Sequence, residues 1–210
     1  MWNNAMRQTF AQQGYIIMSF DNRGSRSPLG RSWRREAHRK IGILPPSDQA
    51  AAVRAVLRER PWIDPARVGS WGWSGGGSMS LNAIFKFPDL YQTAIAVASV
   101  PDQKHYDTIY QERYMGLPVE NRKAFHEGSP INFAQNLKGN LLLIHGAADD
   151  NCHYQTYLKL VDKLIEHNKT FSMMTYPRGT HSIREGKNAR RHLYETMTRF
   201  LHEKMPPGPR

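Results

Sequence analysis

Three stretches of the chain are apolar with almost no polar alternation: Tyr15-Ile16-Ile17-Met18-Ser19-Phe20, Thr93-Ala94-Ile95-Ala96-Val97-Ala98 and Asn140-Leu141-Leu142-Leu143-Ile144. Strands of this kind have both faces covered, and here stretches of helical period separate them. The pattern predicts helices over 2–13, 48–59, 75–86, 154–167 and 187–204, with further strands over 67–71 and 171–176. Gly14 closes the first helix, and Pro88 ends the third. Ser47 is placed to cap the second, whose apolar faces are Ala51, Val53, Val56 and Leu57. After Pro101 a largely helical insert over 106–133 interrupts the alternation. The result is an α/β domain over residues 1–205, a mostly parallel sheet with helices on both faces, followed by a Pro/Gly-rich tail over 206–210 expected to be disordered.

Gly72-Trp73-Ser74-Gly75-Gly76 falls between a predicted strand and a predicted helix. In that setting Gly-x-Ser-x-Gly is a nucleophile elbow, a turn so tight that the serine takes a strained backbone and side chains two residues to either side would collide. The Ser74 hydroxyl then stands clear of the sheet, and the Gly75 N–H faces a developing oxyanion. Five residues of this pattern also occur as incidental glycine-rich turns, so the context has to carry the reading. It does so through two downstream loops, each at the C-terminal end of a predicted strand, where catalytic groups of open parallel sheets gather. One contains Gly146-Ala147-Ala148-Asp149-Asp150-Asn151, the other Tyr176-Pro177-Arg178-Gly179-Thr180-His181.

The order Ser, Asp, His is that of the α/β-hydrolases. A serine hydroxyl is a weak nucleophile at neutral pH, so an imidazole must take its proton and a carboxylate must orient that ring. Ser74 is therefore the expected nucleophile, His181 the base and an aspartate of the 149–150 pair the orienter. Chemistry does not choose between neighbours that differ only in direction.

Composition adds less. Of 210 residues 40% are hydrophobic and 22% charged, the balance of one ordinary globular domain. No apolar run approaches the ~18 residues of a membrane span. Residues Met1–Asn4 show no signal-peptide core, although a leader would be missed if the true start lies upstream, and the compartment stays open. The lone Cys152 excludes an internal disulfide and reads as a small apolar wall of a pocket. Much of the net charge of +11 sits on Arg23, Arg26, Arg31, Arg34, Arg35, Arg39 and Lys40. With no aromatic ladder through it, this run reads as a solvated face, and no nucleic-acid partner is expected. No cofactor or metal is expected either.

Taken together these residues resemble the catalytic domain of the prolyl oligopeptidase family, in particular its dipeptidyl peptidase IV branch. The matching stretches are Phe20-Asp21-Asn22-Arg23-Gly24-Ser25, the elbow, Tyr106-Asp107-Thr108-Ile109-Tyr110-Gln111-Glu112-Arg113-Tyr114-Met115-Gly116-Leu117-Pro118, and His145-Gly146-Ala147-Ala148-Asp149-Asp150-Asn151. The resemblance implies Asp149 as the triad member and Asn151 as a binder of a substrate carbonyl. It also implies Tyr106 and Tyr110 as walls of a proline-accepting pocket; four residues apart, they would share one helix face. It further implies a peptide substrate, a β-propeller domain in the full-length protein, and leaves room for a homodimer.

Three departures qualify the resemblance. Gly75 stands where that branch usually has a tyrosine. The propeller is missing, and so are the first strands of the hydrolase sheet. The segment at 15–20 would be the fourth strand and the elbow strand the fifth, with the absent third between them, leaving unpaired backbone groups. An oxyanion tyrosine contributed by the missing region would be lost as well, at a cost of about 10²–10³ in turnover. The expectation is a C-terminal portion of a serine peptidase that cleaves after proline or small residues. The alternatives are an acylaminoacyl peptidase or esterase of the same fold, and an impaired fragment that acts as a non-enzymatic module.

Overall fold

The computed structural model describes residues 5–26 and 29–208. Four strands, β1 (Gly69–Trp73), β2 (Thr93–Val97), β3 (Asn140–Gly146) and β4 (Ser172–Tyr176), form one parallel sheet in the order β1-β2-β3-β4. The helices are α1 (Ala5–Gln12), α2 (Gly30–Arg35), α3 (Leu44–Glu59), α4 (Gly75–Lys86), α5 (Thr108–Met115), α6 (Arg122–Gly128), α7 (Tyr154–Glu166) and α8 (Ala189–Lys204). Short 3₁₀ helices at Gln103–His105 and Pro130–Asn136 complete the insert between β2 and β3.

The central strands lack polar alternation because both of their faces are covered. Ile95, Val97, Leu142 and Ile144 pack with Phe10 of α1 and with Leu193 and Met197 of α8. Their neighbours Ala94, Ala96, Leu141 and Leu143 point the other way, into a cluster with Leu81, Ile84 and Phe85 of α4 and Leu160 and Leu164 of α7. Each of these buried leucines and isoleucines stabilises the fold by about 2–5 kcal/mol relative to alanine.

The expected strand over 15–20 does not form. The segment belongs to no ladder, and Ile16 and Ile17 are 50% and 37% exposed rather than buried. The backbone needs strand neighbours to satisfy its polar groups, and among the described residues β1 pairs only with β2, so β1 is an edge of the sheet. Side chains hold the segment's ends instead. Gln49 Nε2 donates to the Phe20 carbonyl at 2.8 Å, and the Tyr15 hydroxyl donates to the Met205 carbonyl at 3.0 Å.

The second predicted helix also differs. It begins at Leu44, with prolines in its first turn where no N–H is needed, so Ser47 lies inside it and donates to the Ile43 carbonyl rather than capping it. Its buried face is Pro46, Ala50 and Val53, while Ala51 is exposed.

Of the basic run, Arg23 is locked to Asp48 by its backbone N–H and its guanidinium, whereas Arg26, Arg31, Arg34, Arg35, Arg39 and Lys40 are exposed. Residues 2–4 of the first predicted helix and 209–210 of the tail lie outside the described residues. Against the expectation of a loose tail, Arg67 donates to the carbonyls of Pro206 and Gly208.

Unpaired backbone exchanges its amide protons faster than laddered backbone. Hydrogen-exchange mass spectrometry is expected to show residues 16–20 exchanging orders of magnitude faster than β2 and β3. Equal protection of the two would contradict the edge position of β1.

Candidate active site

Ser74 sits between β1 and α4 with φ 57° and ψ −122°, a conformation that costs a non-glycine residue about 1–3 kcal/mol. Two backbone bonds hold it there: Ser74 N–H donates to the Val97 carbonyl at 2.8 Å, and Ser78 N–H to the Ser74 carbonyl at 3.0 Å. The collision expected on both sides of the serine occurs on one. A Cβ on Gly72 would lie 2.2 Å from the Gly76 carbonyl, whereas a Cβ on Gly76 would meet nothing within 4 Å. The other crowded position is Gly77, whose Cβ would come within 2.8 Å of the Val97 carbonyl oxygen. Gly75 is exposed, with open space where a side chain would stand. As the first residue of α4 its N–H has no acceptor within the helix and is free to face an oxyanion.

The loops after β3 and β4 are fastened to one another by backbone. Ala147 N–H donates to the Tyr176 carbonyl at 2.9 Å and Ala148 N–H to the Gly179 carbonyl at 3.0 Å. Glycine is required at Gly146, where a Cβ would lie 2.2 Å from the Gly179 oxygen. This contact sets Asp149 beside His181. Asp149 is buried and Asp150 exposed; Asp149 Oδ2 accepts from His181 Nδ1 at 2.9 Å, and Oδ1 accepts from the N–H groups of Asn151 and Cys152.

Burial alone would push Asp149 up, but hydrogen bonds from His145, His181 and the Cys152 N–H outweigh it and hold the carboxyl well below the usual carboxylate range. The bond to Asp149, with Cys152 next, pushes the His181 ring up, so the carboxylate stabilises the cation that acyl transfer would create.

No hydrogen bond joins Ser74 Oγ to His181. The hydroxyl's polar neighbour is Cys152 Sγ at 3.9 Å, and the thiol interacts with the ring as well. Such bonds are commonly long without substrate and tighten when one binds.

Asn22, Arg23, Ser74, Gly75, Tyr106 and Tyr110 line a cavity of about 330 Å³. The two tyrosine rings meet edge to face, their centroids 5.4 Å apart. They do not share a helix face. Asp107 caps α5 by accepting from Tyr110 N–H, so Tyr106 precedes the helix. Burial raises the Tyr106 phenol, Cys152, Asp107 and Tyr110 add to this, and the Asn151 side chain opposes it, so both loop residues lie within reach of the pocket wall.

Sequence reasoning passed over four residues that position the histidine loop and the aspartate. Trp73 Nε1 donates to the His181 carbonyl at 2.9 Å, and Arg190 stacks over the Trp73 ring while donating to the Ser182 carbonyl. Glu185 accepts from Thr180 Oγ1 and from the N–H groups of Thr180 and Arg184. The buried His145 places Nε2 2.7 Å from the Cys152 carbonyl and 3.4 Å from Asp149 Oδ2. Trp73 and His145 had a signal, lying inside the elbow and at the head of the 145–151 stretch; Glu185 and Arg190 had none of their own.

An elbow serine after β1, an acid after β3 and a histidine after β4 of a parallel sheet make this an α/β-hydrolase fold. The chain belongs to the prolyl oligopeptidase family, whose sequence model matches residues 2–207. It is 35% identical over 196 residues to prolyl endopeptidase FAP of Mus musculus, covering 92% of this chain and 25% of that protein. It is 38% identical over 189 residues to venom dipeptidyl peptidase 4 of Vespa velutina, covering 88% and 24%. The crystal structure of Porphyromonas gingivalis dipeptidyl peptidase 4 superposes with a TM-score of 0.83 at 38% identity, over 88% of this chain and 26% of that one. The chain thus spans about a quarter of the length of these relatives.

Two outcomes follow from this geometry. Gly72→Ala is expected to cost about 3 kcal/mol or more, lowering Tm by about 10 °C, while Gly76→Ala leaves Tm unchanged or higher. Thermal melts of the two variants distinguish the sides of the elbow.

Hydrogen bonds to Thr180 hold Glu185 down to about 2, from 4.5 when unfolded. A depressed carboxylate stabilises the fold above its unfolded value and loses that effect as the pH falls through its folded one. Wild type is therefore expected to exceed Glu185→Gln in stability by a constant margin above pH 4.5, a margin that closes as the pH falls toward about 2. Urea titrations across this range check it.

Proposed function

We propose that this chain is the catalytic portion of a serine peptidase that hydrolyses peptide bonds after proline or a small residue through an acyl-enzyme. The observation that carries the reading is the hydrogen-bonded Asp149–His181 pair together with an elbow serine, Ser74, that lines a cavity walled by Tyr106 and Tyr110. The Ser74 hydroxyl attacks the scissile carbonyl while His181 takes its proton, and the Gly75 N–H receives the oxyanion. His181 then protonates the departing amine, and water, deprotonated by the same ring, releases the acyl group. Flat aromatic walls suit a pyrrolidine ring, and Asn151 is the candidate donor to a substrate carbonyl. Peptides are the substrates on this reading, with a propeller domain elsewhere in the full-length protein.

The open space at Gly75 favours a second reading, an acylaminoacyl peptidase or esterase that accepts a bulkier acyl group.

A fluorophosphonate probe is expected to modify wild type at Ser74 and to leave Ser74→Ala unlabelled. Asp149→Asn should slow labelling by about 10⁴-fold. An intact wild-type protein that takes up no probe is not a working hydrolase. Gly-Pro, acetyl-Ala and short acyl ester chromogenic substrates separate the two readings. Gly75→Tyr, which fills the open space, is expected to depress ester and acetyl-Ala turnover at least tenfold relative to Gly-Pro. An unchanged ratio removes Gly75 from specificity.

A further inference from the structure

We infer that Asp149, Cys152 and His181 form a binding site for a thiophilic divalent cation of the zinc type. Each offers one donor, a carboxylate oxygen, a thiol sulfur and an imidazole nitrogen, and these atoms lie within 4.8 Å of one another. Carboxylate, thiolate and imidazole are the ligand types that zinc selects. A tetrahedral zinc ion separates its ligand atoms by roughly 3.3–3.8 Å, given metal–ligand distances of about 2.0–2.3 Å, so the widest separation closes by at most about 1 Å, while His181 Nδ1 and Asp149 Oδ2, 2.9 Å apart in their hydrogen bond, open by about 0.4 Å where that nitrogen ligates.

The surroundings suit such a site. Cys152 is fixed on both sides of its peptide unit, its N–H on Asp149 Oδ1 at 2.9 Å and its carbonyl on His145 Nε2 at 2.7 Å. His145 also stands 3.4 Å from Asp149 Oδ2, the place of an outer partner that orients a ligating carboxylate. The Cys152 side chain is 1% exposed, but the His181 side chain is 26% exposed and gives access from solvent. Three protein ligands leave a fourth position, and Ser74 Oγ, 3.9 Å from the sulfur, or a water molecule is at hand to take it. The Cys152 sulfur adds a soft ligand to a carboxylate–imidazole pair.

On binding, the Cys152 thiol and the ligating nitrogen of the His181 ring each give up their proton to solvent, and sulfur bonds the metal as thiolate. Coordination at either ring nitrogen withdraws His181 from the chain of contacts between Asp149 and Ser74, so the cation holds the serine idle. That consequence rests on the hydrolase reading of the site. Binding itself does not.

The full chain, stripped of metal with a chelator and kept reduced, is titrated with cobalt(II) and then zinc. Wild type is expected to develop a thiolate-to-cobalt charge-transfer band that zinc displaces, with one zinc bound per chain by calorimetry. In Cys152→Val the band vanishes and zinc affinity falls about 100-fold, at least the loss that follows removal of an outer partner. Fluorophosphonate labelling, with each variant referred to its own chelated rate, is expected to be quenched by zinc at a midpoint raised to the same degree in Cys152→Val. A wild-type protein without the band, or zinc binding unchanged in Cys152→Val, places any metal on other histidines of the nine in the chain and overturns the proposal. If chelated wild type takes no probe yet shows a Cys152-dependent band, the cation site stands and the hydrolase reading falls.

Discussion

The site depends on how closely two loop backbones approach. Gly146 and Gly179 come so near that neither loop could carry a side chain at Gly146, and the paired N–H and carbonyl groups on either side fix their relative register. Asp149 and His181 are 32 residues apart along the chain and depend on this contact for their 2.9 Å hydrogen bond. The carboxylate can remain charged while buried because its donors are fixed with it, two from its own turn and two from imidazoles.

The elbow faces a different constraint. Ser74 holds an unfavourable backbone conformation because the β1–β2 ladder on one side and the first turn of α4 on the other determine it from both directions. The crowding that accompanies it falls on Gly72 and Gly77, against β2 and the helix start, and leaves Gly75 and Gly76 facing open space. The same turn is therefore rigid on its sheet side and unobstructed on its pocket side.

Much of this was legible from residue order. β2, β3, α4 and α7 fall where apolar runs and the proline stop placed them, because a sheet covered on both faces leaves little freedom in composition. The segment at 15–20 misled for the same reason: its composition is that of a buried strand, but a strand is made by its neighbours, and periodicity carries no information about them. Tyr106 and Tyr110 met as their spacing suggested by a route the spacing did not contain, a cap at Asp107 rather than a shared helix face. Glu185 acts through contacts inside its own loop and Arg190 through a ring distant in sequence, and no local pattern distinguishes such residues from ordinary polar ones; His145 lies in the 145–151 stretch but acts through a buried ring.

Trp73 has a consequence of its own. Its indole grips the backbone of the His181 loop while its main chain adjoins Ser74. Displacements of the β1 terminus are thereby shared by hydroxyl and imidazole alike. Jitter at an exposed sheet margin then becomes a common translation of the pair, which leaves their mutual separation largely untouched.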